Sequence, residues 1–280
     1  MRDRPWWYRF PLEPQYDVAL LSPDFETRAK AREQNEKRID LLRRGTSHAS
    51  IILAEKLEKC SGRSPCESGA CRLCMRECRR TITGLTLMQF QGAEYLRSMT
   101  IVAGAPFRSD WLDGAEAPPD PRAIKGWLRR IIKEHAPSVT LAIGGIEVDL
   151  DSDSGLAEPH GHIMAVVWTK SRLEWLRSYL RRNVKKRRAL RVSRFIPESD
   201  RAYATSYLWK FAPMRKYTWR RVDRHGHKKK CRGKVEMKDH AGRRVLRWLD
   251  RHPPSAFVFT LGCNLQPGRL VLTQSDRPEC

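Results

Sequence analysis

Glu147-Val148-Asp149-Leu150 and, after a short polar loop, Pro159-His160-Gly161-His162-Ile163-Met164-Ala165-Val166-Val167 are the stretch that decides how this chain folds. Each half alternates like a half-buried strand, and Asp151, Ser152, Asp153, Ser154 and Gly155 between them are turn formers. Paired as an antiparallel hairpin, the two strands carry Glu147, His160 and His162 to one face, because side chains two apart on a strand share a face. Two imidazoles and a carboxylate on one face form a candidate divalent-metal site, with Asp149 competing with Glu147 for the third ligand position. Such donors suit Mn2+ or Mg2+ when substrate oxygens complete the shell, and they also suit Zn2+. The plainer alternative is a hydrogen-bonded structural pair of histidines.

Elements read outward from this hairpin give a regular order. Tyr95–Ala103 reads as a strand, and Pro121–His135 as a helix with Ile124, Trp127, Leu128, Ile131 and Ile132 on its apolar face and proline at its start. Ser171–Asn183 reads as a helix, Ala189–Ile196 as a strand, and Arg201–Phe211 as a helix for which Asp200 is a capping candidate. Strand, helix, strand, strand, helix, strand, helix is the order of an α+β domain: a split βαβ, ferredoxin-like plan on an antiparallel sheet. Upstream, residues 1–23 form an arm without its own core, Pro23–Arg44 a solvated helix, and Ile51–Leu57 a short apolar strand or helix. Downstream, Arg243–Trp248 reads as helix and Ala256–Leu261 as strand.

A net charge of +22 over 280 residues points to a polyanionic partner, nucleic acid first and an acidic membrane surface second. No apolar run is long enough to span a bilayer, and Met1-Arg2-Asp3-Arg4-Pro5-Trp6-Trp7 lacks the apolar centre of a secretory signal, so a cytoplasmic location is expected. Five of the 8 cysteines fall between Cys60 and Cys78, a clustering that favours metal over a disulfide framework. Cys60, Cys66, Cys71 and Cys74 are the expected ligands of a structural Zn2+, with Cys78 the alternative; an iron–sulfur cluster or an unligated loop are the rival readings. Arg72, Arg76, Arg79 and Arg80 surround the cluster and are placed to touch phosphates.

Tyr203 and Tyr207, four apart, share one helix face, with Lys210 a turn further on. A phenol of ordinary pKa near 10 is a weak nucleophile, and a neighbouring ammonium would favour its phenolate. The competing reading makes Tyr203, Tyr207 and Phe211 an aromatic core stripe. The basic run Arg181, Arg182, Lys185, Lys186, Arg187 and Arg188, with Arg191 and Arg194, is a candidate grip on a DNA backbone; Trp168, Trp175 and Trp209 are candidates for base stacking. His225-Gly226-His227 lies in a basic stretch read as a solvated loop.

In this order the motifs resemble those of the HUH endonucleases, in particular the rolling-circle replication initiators of small plasmids. Cys66…Cys71-Arg72-Leu73-Cys74…Arg79-Arg80 looks like that family's cysteine motif, and Arg97–Ala103 like its threonine-bearing first strand. Ile146–Asp149 with Glu158–His162 is similar to its metal-binding strands, and Ser206-Tyr207-Leu208-Trp209-Lys210 to its nucleophile motif. The resemblance covers about Cys60–Lys216. It implies a nuclease-like domain over 85–216, preceded by an arm and helix (1–50) and a cysteine-rich zinc module (51–84), and followed by a basic extension (217–280). It implies that Glu147, His160 and His162 hold Mn2+ or Mg2+, that Tyr207 attacks single-stranded or origin-hairpin DNA to form a 5′-phosphotyrosyl intermediate, and that Lys210 assists. Tyr203 stands where single-tyrosine plasmid initiators have a glutamate, so the two tyrosines are expected to alternate as nucleophiles. Host helicase and polymerase are the implied partners. A transposase or relaxase of the same chemistry, or a non-catalytic zinc-bearing DNA- or RNA-binding protein, are the alternatives. Gly161 replaces the family's hydrophobic residue between the histidines, and thinner helix packing is expected beneath it.

Overall fold

β1 (Leu96–Val102), β2 (Ala142–Asp151) and β3 (Leu156–Val166) form the middle of a mixed seven-stranded sheet. The computed structural model describes residues 5–61, 63–103, 107, 110–111, 118–151, 155–184, 189–209, 214–222 and 228–273. β2 and β3 pair antiparallel with Glu147 opposite His160 and Gly145 opposite His162, while Thr100 of β1 stands opposite His162 on the other side. β4 (Leu190–Val192) pairs antiparallel with β1, giving the order β4-β1-β3-β2. The expectation of a purely antiparallel sheet fails at the second edge of β2. There β5 (Met214–Val222) runs parallel to Asp149–Asp151, and β7 (Val258–Leu261) runs antiparallel to Ala142–Gly145. β6 (Lys228–Glu236) pairs with β5, so the expected boundary at 216/217 falls inside a strand of the main sheet. β8 (Cys263–Gln266) and β9 (Arg269–Leu272) make a separate ribbon.

Eight α-helices are found among the described residues: α1 (Val18–Leu21), α2 (Arg28–Arg43), α3 (His48–Glu58), α4 (Arg72–Gln89), α5 (Pro121–His135), α6 (Glu174–Val184), α7 (Arg201–Tyr207) and α8 (His240–Asp250). α5 starts as its sequence predicts, with Asp120 accepting from the Arg122 amide and Pro121 in the first position. Its Ile124, Leu128, Ile131 and Ile132 pack with Leu176 and Leu180 of α6 onto Met99, Ile101, Ile146 and Ile163. Met164, one residue on and therefore on the opposite face of the sheet, joins a second core. That core holds Met75, Cys78 and Ile82 of α4, Leu208 and Trp209 after α7, and Val245, Leu246 and Trp248 of α8. Each such side chain taken out of water contributes about 1.5–3 kcal/mol. Ile51–Leu57 lies in a helix, α3, and Trp7 and Tyr8 of the N-terminal arm are buried in the second core.

Two local expectations are corrected. α7 ends at Tyr207, and Asp200 makes no side-chain cap, because a 3-10 turn over Glu198–Asp200 already holds it in the right-handed helical region; a capping side chain needs extended backbone. The arginines around the cysteines are engaged internally. Arg72 pairs with Glu26 at 2.5 Å, Arg76 with Glu77 at 2.8 Å, Arg80 with Asp17, and Arg79 donates to the Ser206 carbonyl at 2.9 Å. No helix among the described residues is long and apolar enough to cross a membrane.

The Asp17–Arg80 pair yields a pH prediction. Asp17 caps α1 through the Ala19 amide and takes two bonds from the Arg80 guanidinium on α4. Burial works against the carboxylate, but Arg80 outweighs it and holds Asp17 below its ordinary value of 3.8. A depressed folded pKa means that the stabilisation is complete above the unfolded value and is lost as pH falls through the folded one. Asp17→Asn is expected to cost about 2 kcal/mol at neutral pH, and the gap to the wild type should narrow below about pH 4. Urea titrations at both pH values read this; a gap that does not change with pH would remove the ion pair as its cause.

Candidate functional site

Alternation along β2 and β3 puts Glu147, Asp149, Glu158, His160 and His162 on one face of the sheet, all buried except the half-buried His162. His160 Nε2 lies 3.5 Å and His162 Nε2 3.3 Å from the same Glu147 oxygen, and the three ligand atoms lie within 4.8 Å of one another. Metal bonds of about 2.1 Å place neighbouring donors about 3.0 Å apart in an octahedron and about 3.4 Å apart in a tetrahedron, so the trio can hold a divalent ion of either preference. The far nitrogens are engaged as well: His160 Nδ1 faces the Glu158 carbonyl at 3.2 Å and His162 Nδ1 faces the Thr100 hydroxyl at 3.1 Å. With an ion bound, donation from both Nδ1 atoms would turn both Nε2 lone pairs toward it, the arrangement that outer hydrogen bonds impose on metal-binding histidines.

The electrostatics suit the same role. Burial lowers the His160 pKa despite the carboxylates beside it, so the ring is neutral, the form that binds metal. Burial would raise Glu147, but without an ion the two imidazoles donate to it through Nε2–H and hold it well below the usual carboxylate range; a bound ion would take the place of those protons. The competition between Glu147 and Asp149 for the ligand position is decided by charge. Asp149 Oδ2 receives Lys216 Nζ and Lys234 Nζ at 2.9 Å each and lies 3.7 Å from His160 Nε2. Asp149 therefore binds the lysines while Glu147 faces both rings. Gly161 faces α5, where a Cβ would lie 3.0 Å from Leu128 Cδ1. The expected thin packing is absent: the helix closes onto the missing side chain.

α7 brings Tyr207 to this face, its ring 6.0 Å from that of His162. Gly145, opposite His162, makes the approach possible, since a Cβ there would lie 2.5 Å from the Leu208 carbonyl oxygen and 2.6 Å from Trp209 Cδ1. Tyr203 and Tyr207 are 53% and 41% exposed, which sets aside a tyrosine core stripe, whereas Trp209 is buried and cannot stack bases. Trp168 and Trp175 are exposed, the former stacked on Tyr95 at 4.4 Å. Arg181 and Arg182 are exposed on α6; Lys185, Lys186, Arg187, Arg188, Lys210, Phe211, His225 and His227 lie outside the described residues. Sequence reasoning missed Lys216 and Lys234, which fall on either side of the expected boundary between the nuclease-like domain and the basic extension. Burial works against the Lys234 ammonium, but Asp149, and more weakly Glu147 and Tyr207, raise its pKa.

Cys60, Cys66, Cys71 and Cys74 form the second donor group, their Sγ atoms within 4.8 Å of one another. Cys60–Cys71, Cys60–Cys74 and Cys66–Cys74 are 3.5, 3.6 and 3.8 Å apart. Bonds of about 2.3 Å give a tetrahedron with edges of about 3.8 Å, so four thiols so placed can hold Zn2+. Cys71 is the N-cap of α4, and its Sγ accepts from the Cys74 amide. Cys78, one turn further on, lies in the apolar core, and burial pushes its pKa up. The expected boundary at residue 84 falls inside α4, which runs from the cysteines to Arg79 and its bond to Ser206, beside Tyr207.

Elemental analysis of the purified chain is expected to find one zinc, lost in Cys60→Ser and Cys74→Ser and kept in Cys78→Ser; zinc lost in Cys78→Ser would reassign the fourth ligand. Gly145→Ala should force α7 off the sheet and cost about 1–3 kcal/mol in urea denaturation. Wild-type stability in that variant would mean that α7 does not pack on β2.

Comparison with protein-family models, with curated proteins and with solved structures finds no match, so the reading of both centres rests on their own geometry.

Proposed function

We propose that this chain is a metal-dependent enzyme that nicks and transfers single-stranded DNA through a phosphotyrosine, the chemistry that initiates rolling-circle replication. The observation that carries the reading is the convergence of Glu147, His160 and His162 on one ligand-sized locus, with the Tyr207 ring 6.0 Å from that of His162. The element order β1-α5-β2-β3-α6-β4 and the antiparallel strand order β4-β1-β3-β2 support a split βαβ, ferredoxin-like palm beneath the site. The charge of +22 suits a polyanionic substrate.

Glu147, His160 and His162 fit Mn2+ or Mg2+, which when bound supplies the positive charge that polarises a scissile phosphate. The Tyr207 oxygen forms the new P–O bond as the 3′ oxygen leaves and takes up the proton that the phenol gives up. The products are a 5′-phosphotyrosyl chain and a free 3′-hydroxyl. Lys234, held by Asp149, is the cation we assign to assist the attack. Lys210, the residue that the family resemblance points to, is the other candidate for that role. Tyr203, one turn earlier, then carries the second transesterification, and the phosphodiester energy is conserved without a nucleotide cofactor. The zinc centre is structural, since its four thiolates leave no open position.

Incubation with single-stranded DNA and Mn2+ should give a covalent adduct on denaturing gels, absent in Tyr207→Phe and His162→Ala and retained in Tyr203→Phe. Lys234→Ala should slow adduct formation about 10- to 100-fold. DNA binding with zinc in place and no adduct on any strand tested would leave a non-catalytic DNA- or RNA-binding protein.

A further inference from the structure

The β5–β6 hairpin outreaches the sheet that anchors it. Only Met214–Lys216 pair with β2, whereas β5 and β6 pair with each other from Met214 opposite Glu236 to Val222 opposite Lys228. The two faces of this ribbon differ. On one, Lys216 and Lys234 stand opposite each other and reach the buried Asp149 carboxylate, which pins the base of the ribbon beside the metal site. On the other, Tyr217 and Trp219 stack at 5.1 Å and 25° while remaining 41% and 42% exposed. Gly233, opposite Tyr217, makes room for them: a Cβ there would lie 2.8 Å from the Tyr217 ring and 2.9 Å from that of Trp219. Both rings therefore settle onto the neighbouring strand without being buried by it.

The sequence around the rings decides what covers them. Residues 214–236 contain ten lysines and arginines against two acidic residues. Aromatic faces open to water amid such charge match one chemistry closely, bases stacked on the rings with their phosphates along the basic strands. An apolar protein partner would have to desolvate those cations, and a duplex keeps its base faces stacked inside.

We infer that the Tyr217–Trp219 face of the hairpin is a single-stranded DNA-binding arm that grips bases by stacking. Its placement beside the metal site gives the arm a purpose that rests on the strand-transfer reading: it holds the strand next to the phosphate to be cut. The arm lies outside the part of the chain that carries the family resemblance.

The test is binding of a fluorescein-labelled oligothymidylate by the full chain, followed by anisotropy without added divalent ion so that no cleavage enters. Tyr217→Ala and Trp219→Ala should each weaken binding about tenfold, Trp219→Phe should restore most of it, and the dependence on salt should keep its wild-type slope because no phosphate contact is lost. Binding of a duplex should be unchanged. Thermal melting identifies any variant that fails to fold, and Trp219→Phe then carries the comparison with Trp219→Leu. Equal binding by wild type and folded variants overturns the arm while leaving the strand-transfer reading intact. A parallel loss for duplex and single strand, or a flatter salt slope, overturns stacking in favour of charge. Tighter binding of oligouridylate than of oligothymidylate overturns the assignment to DNA. A wild-type chain that binds no single strand at all overturns the arm and the strand-transfer reading together.

Discussion

Everything at the site depends on the register between β2 and β3. Glu147 opposite His160, with His162 two residues on and Gly145 across from it, assembles three donors and a clearing for α7 from one pairing. A slip of one residue would turn every one of these side chains to the other face, against Leu128 and Ile131 of α5. The pairing resists such a slip because both faces are specified: Ile146, Gly161 and Ile163 fit the helices on one side, and Ile143 and Met164 fit the second core on the other. The carboxylates buried in that sheet are tolerable only with their partners, the histidines for Glu147 and the lysines for Asp149, with Lys216 also near Glu158.

The cysteine quartet and the tyrosines are mechanically one unit. Cys71 caps α4, and α4 carries Arg79 to the Ser206 carbonyl in the turn that presents Tyr207. Arg79 is half-buried, and desolvation lowers its pKa to about 10, yet it remains charged at neutral pH and clasped over the Phe25 ring. A metal at the cysteines therefore fixes the start of a helix whose second turn sets the pose of the nucleophile candidate. An ion held there would act on the tyrosine through backbone geometry alone.

Much of this was legible in the residues because local chemistry and tertiary role agree there. Alternation announced β2 and β3, Asp120-Pro121 and a 3.6-residue apolar stripe announced α5, and cysteine spacing announced the quartet. The failures have physical causes. α4 is one continuous helix through Thr81, Thr83, Gly84 and Thr86, residues of poor helix propensity that tertiary packing overrides. The β5–β6 hairpin reads as a solvated loop because its lysines and arginines hide the alternation, and neither of its faces is apolar throughout. The arginines flanking the cysteines look like phosphate ligands in sequence, yet their acidic and carbonyl partners, Asp17, Glu26 and Ser206, come from distant segments. Lys216 and Lys234 were invisible for the same reason: their meaning comes from Asp149, a residue on another strand.

The divided edge of β2 gives the protein a history as well as a shape. Its partnership with β3 is local and can form as soon as the hairpin leaves the ribosome, but its other edge waits for β5 and then for β7, near the far end of the chain. Until they arrive, a strand edge lies open and Asp149 has no lysine to neutralise it, which makes the nascent chain both sticky and unstable. Late, non-local closure of this kind slows folding. Competence is therefore timed: the donors for a metal can be grouped early, while the lysines that balance the neighbouring Asp149 arrive only with β5 and β6.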